Sequence, residues 1–325
     1  MKRRHFTALA LSAVGAGLQT AAMAAGYPSK PVTIVVPFPP GGANDLIARS
    51  LGQAMGPLLH GSLIVDNRSG GAAGSVGAQM VANAPTDGYT LLLGNTASLA
   101  INASVYPALR YDPQRDFDPV TVIGLSSLVL VVPSQVPARN IAEFVRLLKA
   151  APGKHAYASA GAGSPLHLAG EMFKQRTGTD WLHVPYRGTA PAYTDLLSGR
   201  VTAMFDNTTT ALPHVQAGSI RALAVTGKRR SPLFPDVPTL AEAGIADMEI
   251  PVWFGLVAPR GTSAAVVDQL SRAAVGAVRG EEMQQRLRDL DVEAWANSPA
   301  DARAFIASEN RKWKDVVQKA NIKLD

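Results

Sequence analysis

Short apolar runs alternate with segments of helical periodicity along most of the chain. Residues 32–36 (VTIVV) are rich in β-branched side chains and predict a buried strand. The prolines and glycines of residues 37–42 stop both strand and helix. A helix is predicted next, with Asn44 or Asp45 as its cap. Its buried face is predicted to carry Leu46, Ile47, Leu51, Met55 and Leu58.

The same alternation continues to the end of the chain. Asn140 and Glu143 have the spacing of a capping box and predict a helix start. Further helices are predicted at about residues 165–177 and from Ser298 onward. Strands are predicted at residues 63–65, 89–93, 128–132, 156–159, 182–186, 201–205 and 221–225. Strands that alternate with helices indicate an α/β protein with parallel pairing.

The length of 325 residues suggests two domains. We predict one lobe at about residues 126–225. The other lobe would be discontinuous and built from residues 27–125 and 226–325. Two sequential lobes, each formed by one half of the chain, would refute this division.

The first 24 residues have the pattern of a secretory signal peptide. Lys2, Arg3 and Arg4 precede an apolar stretch at about residues 6–18, and Ala22-Met23-Ala24 is a small-x-small cleavage pattern. The apolar stretch is shorter than the roughly 20 residues that cross a bilayer. We therefore expect an exported, periplasmic protein that is soluble after cleavage and functions as a monomer.

Composition narrows the possible chemistry. The chain has no cysteine, which excludes disulfides and thiolate sites. The formal charge is +6, from 31 Lys and Arg against 25 Asp and Glu. Three of the bases lie in residues 1–24, so the mature chain carries 28 bases against 25 acids. Such a mild, dispersed charge does not predict nucleic-acid binding.

Two loops follow predicted strands and lead into predicted helices, at residues 39–45 and 159–165. Ligands of α/β proteins bind beyond the carboxyl ends of strands, where the next helix begins. Helix N-termini attract anions because their first N–H groups are unpaired and carry partial positive charge. Glycines in both loops allow close approach to the backbone. Two such helix starts that face one cleft would suit a dicarboxylate, or one carboxylate held from two sides.

Two charged residues also follow predicted strands. Arg187 comes after the strand at 182–186, and its guanidinium is suited to pair with a carboxylate. Asp206 follows the strand at 201–205. A carboxylate there would repel an anionic ligand unless it met an amine or hydroxyl, so Asp206 is a candidate selector of ligand type.

Sequence signals for enzymes are incomplete or missing. Residues 161–166 begin like a dinucleotide fingerprint but lack its last glycine, and neither a P-loop nor G-x-S-x-G occurs. His167 and Glu171 are four apart on a predicted helix, yet no third metal ligand is spaced to join them. We expect no cofactor, no metal and no catalytic residue, although carboxylates that meet only in space stay possible.

Motifs in register run through the whole predicted mature chain, and together they resemble a known family. They are Tyr27-Pro28-Ser29-Lys30-Pro31, Pro37-Phe38-Pro39-Pro40-Gly41-Gly42, Val65-Asp66-Asn67-Arg68, Asp87-Gly88-Tyr89-Thr90-Leu91-Leu92, His167-Leu168-Ala169-Gly170-Glu171, His183-Val184-Pro185-Tyr186-Arg187-Gly188, Met204-Phe205-Asp206-Asn207 and Asp236-Val237-Pro238-Thr239. The chain resembles the substrate-binding receptors of tripartite tricarboxylate transporters, the Bug-type family.

This resemblance implies a two-lobed, type II-like Venus flytrap fold of periplasmic binding proteins, in which each lobe is a mixed sheet flanked by helices. It implies a receptor, not an enzyme, that binds a small carboxylate and delivers it to membrane transporter subunits. The ligand-binding residues that it implies on one lobe are Phe38, Pro39, Gly41, Gly42, Asn44, Asp45 and, more weakly, Thr96. Those on the other lobe are Ser159, Gly161, Ser164, Arg187 and Asp206.

This chain departs from the family pattern at several of these positions. Pro40 stands where alanine is common, Asn44 where threonine or serine is common, and Arg187 where lysine is common. The departures leave the identity of the carboxylate open. Two other functions also stay open, a ligand-sensing receptor that feeds a signalling system and a periplasmic enzyme that acts on a small carboxylate.

Overall fold

The structure is a computed structural model that describes residues 26–186, 188–320 and 322. The predicted signal peptide, residues 1–24, and Arg187 lie outside the described residues. Within the described part of the chain, no helix combines the length and the apolar character needed to cross a membrane.

Strands and helices alternate as the hydrophobic pattern predicts. The strands are β1 (Val32–Val36), β2 (Leu63–Asn67), β3 (Thr90–Asn95), β4 (Phe117–Pro133), β5 (Ala156–Ser159), β6 (Leu182–Pro185), β7 (Ala203–Asn207), β8 (Ile220–Val225), β9 (Pro251–Pro259) and β10 (Glu293–Ala294). The helices are α1 (Ala43–Leu59), α2 (Ser75–Ala82), α3 (Asn102–Val105), α4 (Ile141–Ala150), α5 (Pro165–Thr177), α6 (Thr189–Leu197), α7 (Thr208–Gln216), α8 (Ala264–Arg279), α9 (Glu281–Asp289) and α10 (Pro299–Lys319).

The described strands join into one ten-stranded sheet in the order β2-β1-β3-β9-β4-β7-β5-β6, with β8 and β10 also paired to β4. The strand β4 belongs to two groups. Its residues 117–127 pair with β9, and its residues 128–133 pair with β7 and β8. We call β1, β2, β3, β9, β10 and the start of β4 the first half of the sheet. The second half is β5, β6, β7, β8 and the end of β4.

Parallel and antiparallel pairs occur in both halves, so the sheet is mixed. The β1–β2, β1–β3, β5–β6 and β5–β7 pairs are parallel, whereas β4 and β9 pair antiparallel with their neighbours. The mixed α/β architecture is confirmed: the parallel pairs that the alternation of strands and helices indicates are present, and antiparallel pairs occur beside them. A parallel pair of strands needs a crossover connection. The pairs that include β4 are antiparallel, so they do not depend on such a connection.

Several strand predictions need correction in detail. Eleven residues at the start of β4 were missed, because Pro119 and Gly124 interrupt its apolar run. The whole of β9 was missed as a strand. β7 begins at Ala203 rather than at residue 201, and β2, β3 and β6 also shift by one or two residues at their ends.

Helix starts follow the sequence signals at Asn140 and Ser298, and the start of α1 differs from its predicted cap. The side chain of Asn140 accepts from the Glu143 N–H, and Ser164 and Ser298 likewise cap α5 and α10 ahead of a proline in the first turn. At α1 the N-cap is Gly42 and no side chain caps it, so the predicted cap at Asn44 or Asp45 is wrong. Both residues lie in the first turn instead.

Large apolar and aromatic side chains form a buried core that includes residues of both halves of the sheet. In the second half, Trp181 packs against the rings of Phe144, Tyr157 and Phe173 with centroid distances of 4.6–5.9 Å. These rings come from α4, β5 and α5, so one cluster ties two helices to the sheet. Aromatic side chains contribute large buried areas to such clusters.

The last helix is anchored by a buried carboxylate. Glu309 on α10 is buried, and its Oε2 accepts hydrogen bonds from Trp253 Nε1 at 3.0 Å and Trp313 Nε1 at 3.1 Å. Trp253 lies on β9, so α10 returns to the first half of the sheet. Lys312 pairs with the same carboxylate at 3.5 Å.

Replacing Glu309 by leucine tests this anchor. Glu309→Leu leaves two buried indole N–H groups without an acceptor, which we expect to lower the free energy of unfolding by about 2 kcal/mol or more. Glu309→Gln keeps an acceptor oxygen and should cost less. Urea denaturation followed by tryptophan fluorescence measures both variants, and equal stabilities would contradict the role given to this carboxylate.

Candidate functional site

The predicted site residues lie at the carboxyl ends of parallel strands in both halves of the sheet. The loop after β1 carries Phe38 to Asp45, and Thr96 follows β3, which is parallel to β1. In the second half, Ser159 ends β5 and Asp206 lies near the end of β7, and these two strands are also parallel. The carboxyl ends of parallel strands share one edge, which is where α/β proteins bind ligands.

The first loop is held by a carboxylate of the helix that it leads into. Gly41 has a φ of +88°, a conformation that glycine adopts without steric cost. Its N–H donates to Asp45 Oδ2 at 2.9 Å. Asp45 is buried and also binds Arg49, with Arg49 NH2 2.9 Å from Oδ1. Asp45 therefore shapes the loop, and the Gly41 N–H is already engaged.

The negative charge of Asp45 is neutralised by its ion pair with Arg49. Burial acts to raise the pKa of Asp45, but hydrogen bonds from Arg49, the Gly41 N–H and Asn67, together with the Arg49 charge, hold this pKa below its ordinary value. The carboxylate is thus ionised and paired. Because the Asp45–Arg49 ion pair is neutral overall, Asp45 does not cancel the positive end of α1. The unpaired N–H groups at the start of α1 therefore still attract an anion.

The rest of the first loop divides into buried supports and exposed backbone. Asn67 donates to the Phe38 carbonyl at 3.2 Å, and Phe38 is half-buried. Asn44 is buried and donates to the Leu93 carbonyl at 3.2 Å, which ties α1 to β3. Pro39, Gly41 and Gly42 are exposed. The exposed face of this loop is therefore mainly backbone.

Thr96 has a structural contact for its hydroxyl. The side chain is fully buried, donates to the Pro251 carbonyl at 3.3 Å and accepts from the Trp253 N–H at 2.8 Å. These bonds join the end of β3 to the start of β9. The Thr96 hydroxyl is therefore occupied by the sheet itself.

The second loop is folded by its own serines. Ser159 is fully buried, and its Oγ accepts from the Gly161 N–H at 3.2 Å and bonds to the Gly161 carbonyl at 3.0 Å. Ser164 Oγ donates to the same carbonyl at 2.7 Å while it caps α5 through the His167 N–H. Gly161 itself has a φ of +145°, which favours glycine.

Two histidines lie directly behind the second loop. The rings of His167 and His183 stack with centroids 3.7 Å apart and planes 12° apart. His167 Nδ1 accepts from the Gly163 N–H at 3.0 Å, and His183 Nε2 lies 2.7 Å from Ser159 Oγ. Burial lowers the pKa of His167 to about 4 and that of His183 to about 3, so both rings are neutral near pH 7.

Ser159 Oγ and His183 Nε2 are as close as a nucleophile and its general base, but their environment does not suit catalysis. Ser159 is fully buried and its hydroxyl is shared with Gly161. A base with a pKa near 3 takes up a proton poorly at neutral pH, since general bases work best with a pKa near the operating pH. The pair is therefore suited to hold the loop in place.

Asp206 is a fully buried carboxyl group. Its Oδ2 accepts from the Tyr193 hydroxyl at 2.8 Å, and the Tyr193 ring stacks on His214. Burial raises the pKa of Asp206 to about 7, although the hydrogen bonds from Tyr193 and the Asn207 N–H act in the opposite direction. Near neutral pH this group exists in both protonation states, and the protonated carboxyl can donate a hydrogen bond.

Tyr106 brings the two halves of the site together. It follows α3, beyond the end of β3, and its hydroxyl donates to the Ala162 carbonyl of the second loop at 3.4 Å. On its other side, α3 lies close to the first loop, because Asn102 Nδ2 donates to the Ala73 carbonyl and a Cβ on Gly74 would lie 3.2 Å from the Phe38 ring. One series of contacts thus links both loops.

Sequence reasoning did not identify the contacts of Tyr106, His167 and His183 with the second loop. His167 lies on α5 and His183 lies on β6, and only the fold brings both rings to this loop. Tyr106 lies in an irregular segment where periodicity gives no signal. In the described part of the chain, no cluster of three or more His, Asp or Glu side chains is arranged to hold a metal ion.

Known proteins with the same fold define the class. The fold is that of periplasmic solute-binding proteins. Residues 47–322 match the model of the tripartite tricarboxylate transporter family receptor. The chain therefore belongs to the tripartite tricarboxylate transporter receptor family, whose members are periplasmic binding proteins rather than enzymes.

Individual relatives cover nearly the whole chain. BugT of Bordetella pertussis (strain Tohama I) is 36% identical over 320 residues, which are 97% of this chain and 98% of BugT. The structure of Rpa4515 of R. palustris with adipate matches with a TM-score of 0.82 at 36% identity, over 92% of this chain and 100% of that one. MatC from Rhodopseudomonas palustris with bound malate matches with a TM-score of 0.78 at 32% identity, over 90% and 100%.

The buried carboxyl of Asp206 predicts a pH-dependent stability. Because its pKa is about 7 in the folded protein and 3.8 ordinarily, the folded state binds more protons between these values, and Asp206 lowers stability as the pH rises through this range. Asp206→Asn keeps an acceptor for Tyr193 and removes the charge. We expect its melting temperature to exceed that of the wild type more at pH 8 than at pH 5.

Thermal melts of both proteins at pH 5, 6, 7 and 8 measure this difference. The wild type and the variant share all other titrating groups, including His167 and His183, so these contributions cancel. A constant difference across the four pH values would contradict the assignment of a raised pKa to Asp206.

Proposed function

We propose that the chain is a periplasmic receptor that binds a small carboxylate between two lobes and delivers it to a membrane transporter of the tripartite tricarboxylate type. The observation that carries this proposal is the start of α1. It has no side-chain cap, it follows the end of β1, and the charge of the adjacent Asp45 is neutralised by Arg49. Unpaired N–H groups at such an end attract an anion.

The two halves of the sheet are proposed to be the two lobes, with boundaries at about residues 27–125 plus 226–325 and 126–225. Support comes from the distribution of strands, because β5 to β8 and the end of β4 all lie within residues 128–225. Thr226 directly follows β8, at the proposed boundary between the lobes. Its Oγ1 accepts from the Leu128 N–H and donates to the Ile250 carbonyl, both at 2.9 Å. These residues are the proposed hinge.

Ligand binding is proposed to stabilise a closed arrangement of the lobes. The start of α1 would contact one side of the carboxylate, and the loop at Gly161 and Ser164 would contact the other. A ligand that bridges two lobes favours the closed form because only that form presents both sets of donors. The contact of Tyr106 with the Ala162 carbonyl supports a short distance between the two loops.

Dicarboxylates are the ligands that we favour. Two helix starts that face one cleft suit a molecule with two anionic ends. The relatives that contain adipate and malate support this class. Near neutral pH, Asp206 is partly protonated and can interact with a ligand carboxylate or hydroxyl, so we keep it as the candidate selector of ligand type. Arg187 stays a candidate by its sequence position alone.

We further propose that the protein is not an enzyme and that residues 1–24 are removed on export. The buried Ser159 and the low pKa of His183 support the absence of a nucleophile and base pair at the second loop. Residues 2–4 and 22–24 support the signal peptide. We expect the mature protein to be a monomer. We also expect it to bind no nucleic acid, because its charge is mild and dispersed.

Two measurements test this function together. Native mass spectrometry of the purified protein identifies any co-purifying acid, and calorimetry with succinate, malate, adipate and citrate measures affinity. We expect stoichiometric binding of at least one dicarboxylate, with the ligand recovered unchanged after incubation. Turnover of the bound acid would favour an enzyme, and no binding by any member of the panel would remove the main support for a receptor.

Gly42 offers a test of the backbone site that spares the fold. A Cβ at Gly42 would meet only the Pro39 carbonyl, at 4.0 Å, and its φ of −81° is open to other residues. Gly42→Val should therefore fold, yet its branched side chain blocks approach to the start of α1. We expect the affinity for the bound dicarboxylate to fall about tenfold or more.

Gly42→Ala serves as the matched control, since a single methyl group blocks less space. Calorimetry on both variants gives the affinities, and thermal melts report on the fold. Wild-type affinity in Gly42→Val would exclude this part of α1 from the site.

A further inference from the structure

The proposed binding of a carboxylate does not itself use the stacked imidazoles of His167, which is buried, and His183, which is half-buried. They come from different elements, His167 from α5 and His183 from β6. Their rings lie 3.7 Å apart, and the Tyr157 ring of β5 lies 5.0 Å from His183. Withdrawing imidazole nitrogens from water is costly unless they are hydrogen bonded. Their hydrogen bonds therefore indicate what they do.

Each ring has a polar contact with the loop between β5 and α5. His167 Nδ1 accepts from the Gly163 N–H at 3.0 Å. His183 Nε2 lies 2.7 Å from Ser159 Oγ, and that oxygen accepts from the Gly161 N–H. The pair thus restrains both glycines of the loop, one directly and one through Ser159. Gly161 and Gly163 have φ values of +145° and +75°, so a loop without these contacts has wide conformational freedom.

The contact with Gly163 requires a particular chemical state of His167. An acceptor at Nδ1 means that the ring is neutral and carries its hydrogen on Nε2. The charged and titratable groups around the two rings are Glu171 and Lys174 of α5 and Tyr157 of β5. Glu171 is paired with Lys174 at 3.1 Å and accepts from the Tyr157 hydroxyl at 2.7 Å. These groups satisfy one another and leave the ring nitrogens for the loop.

We propose that His167 and His183 are positioning residues that hold the loop at Gly161–Gly163 in the shape that receives the ligand carboxylate. This inference rests on the proposed receptor function, because it assigns the second loop to the ligand. The histidines do not touch the ligand themselves. Their effect is to order the loop before binding, which reduces the conformational entropy lost on binding.

Substitutions at His167 separate the acceptor from the bulk of the ring. Phenylalanine keeps an aromatic ring for stacking but has no acceptor. Asparagine places its Oδ1 at the same bond separation from the backbone as His167 Nδ1, so it can accept from Gly163. We expect His167→Phe to weaken binding of the dicarboxylate about tenfold or more and His167→Asn to stay within about threefold of the wild type.

His155→Phe is the matched control in the same half of the sheet. His155 precedes β5, at the end of this strand away from the loop, and its Nδ1 bonds to Thr202 Oγ1 at 3.2 Å. The same exchange of imidazole for phenyl ring should leave the affinity unchanged. Calorimetry with succinate, malate, adipate and citrate measures all four proteins, and amide hydrogen exchange at Gly163 reports on the loop without ligand.

The outcomes distinguish this inference from the receptor function. If the wild type binds a dicarboxylate and His167→Phe binds it equally well, the positioning role is wrong while the function stands. Weak binding by both His167→Phe and His167→Asn, with slow Gly163 exchange in both, also overturns it. Selective weakening in His167→Phe, with faster exchange at Gly163, supports it.

Nitrogen-15 NMR of the wild type decides the matter even if variants fail to fold or no acid in the panel binds. The His167 ring is expected as the neutral tautomer with hydrogen on Nε2, and the Gly163 amide is expected to exchange slowly. A hydrogen on Nδ1 of His167 at pH 7 would overturn the proposal, because that atom could not then accept from Gly163.

Discussion

The pairing of β4 with strands on both sides of its midpoint is the constraint on which the structure depends. Residues 117–127 pair with β9 and residues 128–133 pair with β7 and β8. A single strand thus belongs to both halves of the sheet, and its passage from one to the other is fixed by hydrogen bonds of Thr226 with Leu128 and Ile250. The strand ends that carry the candidate site therefore have positions that depend on where β4 passes from one half of the sheet to the other.

At the site, buried polar side chains support an exposed backbone. Asp45, Asn44 and Thr96 direct their polar atoms to the protein in the first half, and Ser159 does so in the second. Each was proposed from sequence as a ligand contact. In the structure these side chains bond to the protein and so support the loops, while their contact with a ligand stays a prediction. A carboxylate held by backbone N–H groups needs such supports because the backbone alone does not order these loops.

Burial also determines which protonation states the site contains. It lowers the pKa values of His167 and His183 to about 4 and 3, and it raises that of Asp206 to about 7. All three shifts have the same origin, because a low-polarity interior disfavours the charged form of any group. Near neutral pH the second half therefore presents neutral imidazoles and a partly neutral carboxyl, an environment with little negative charge to repel an anion.

The amino-acid sequence by itself determined the alternation of strands and helices, the helix starts at Asn140 and Ser298, and the two glycine-containing loops that follow β1 and β5. These features depend on residues close together in the chain, so their local pattern carries the information. The tertiary structure alone decided the antiparallel place of β9, the length of β4, the stacking of His167 on His183 and the contact of Tyr106 with Ala162. Each of these joins segments that are distant in sequence, and hydrophobic periodicity specifies which face of an element is buried but not which partner it is buried against.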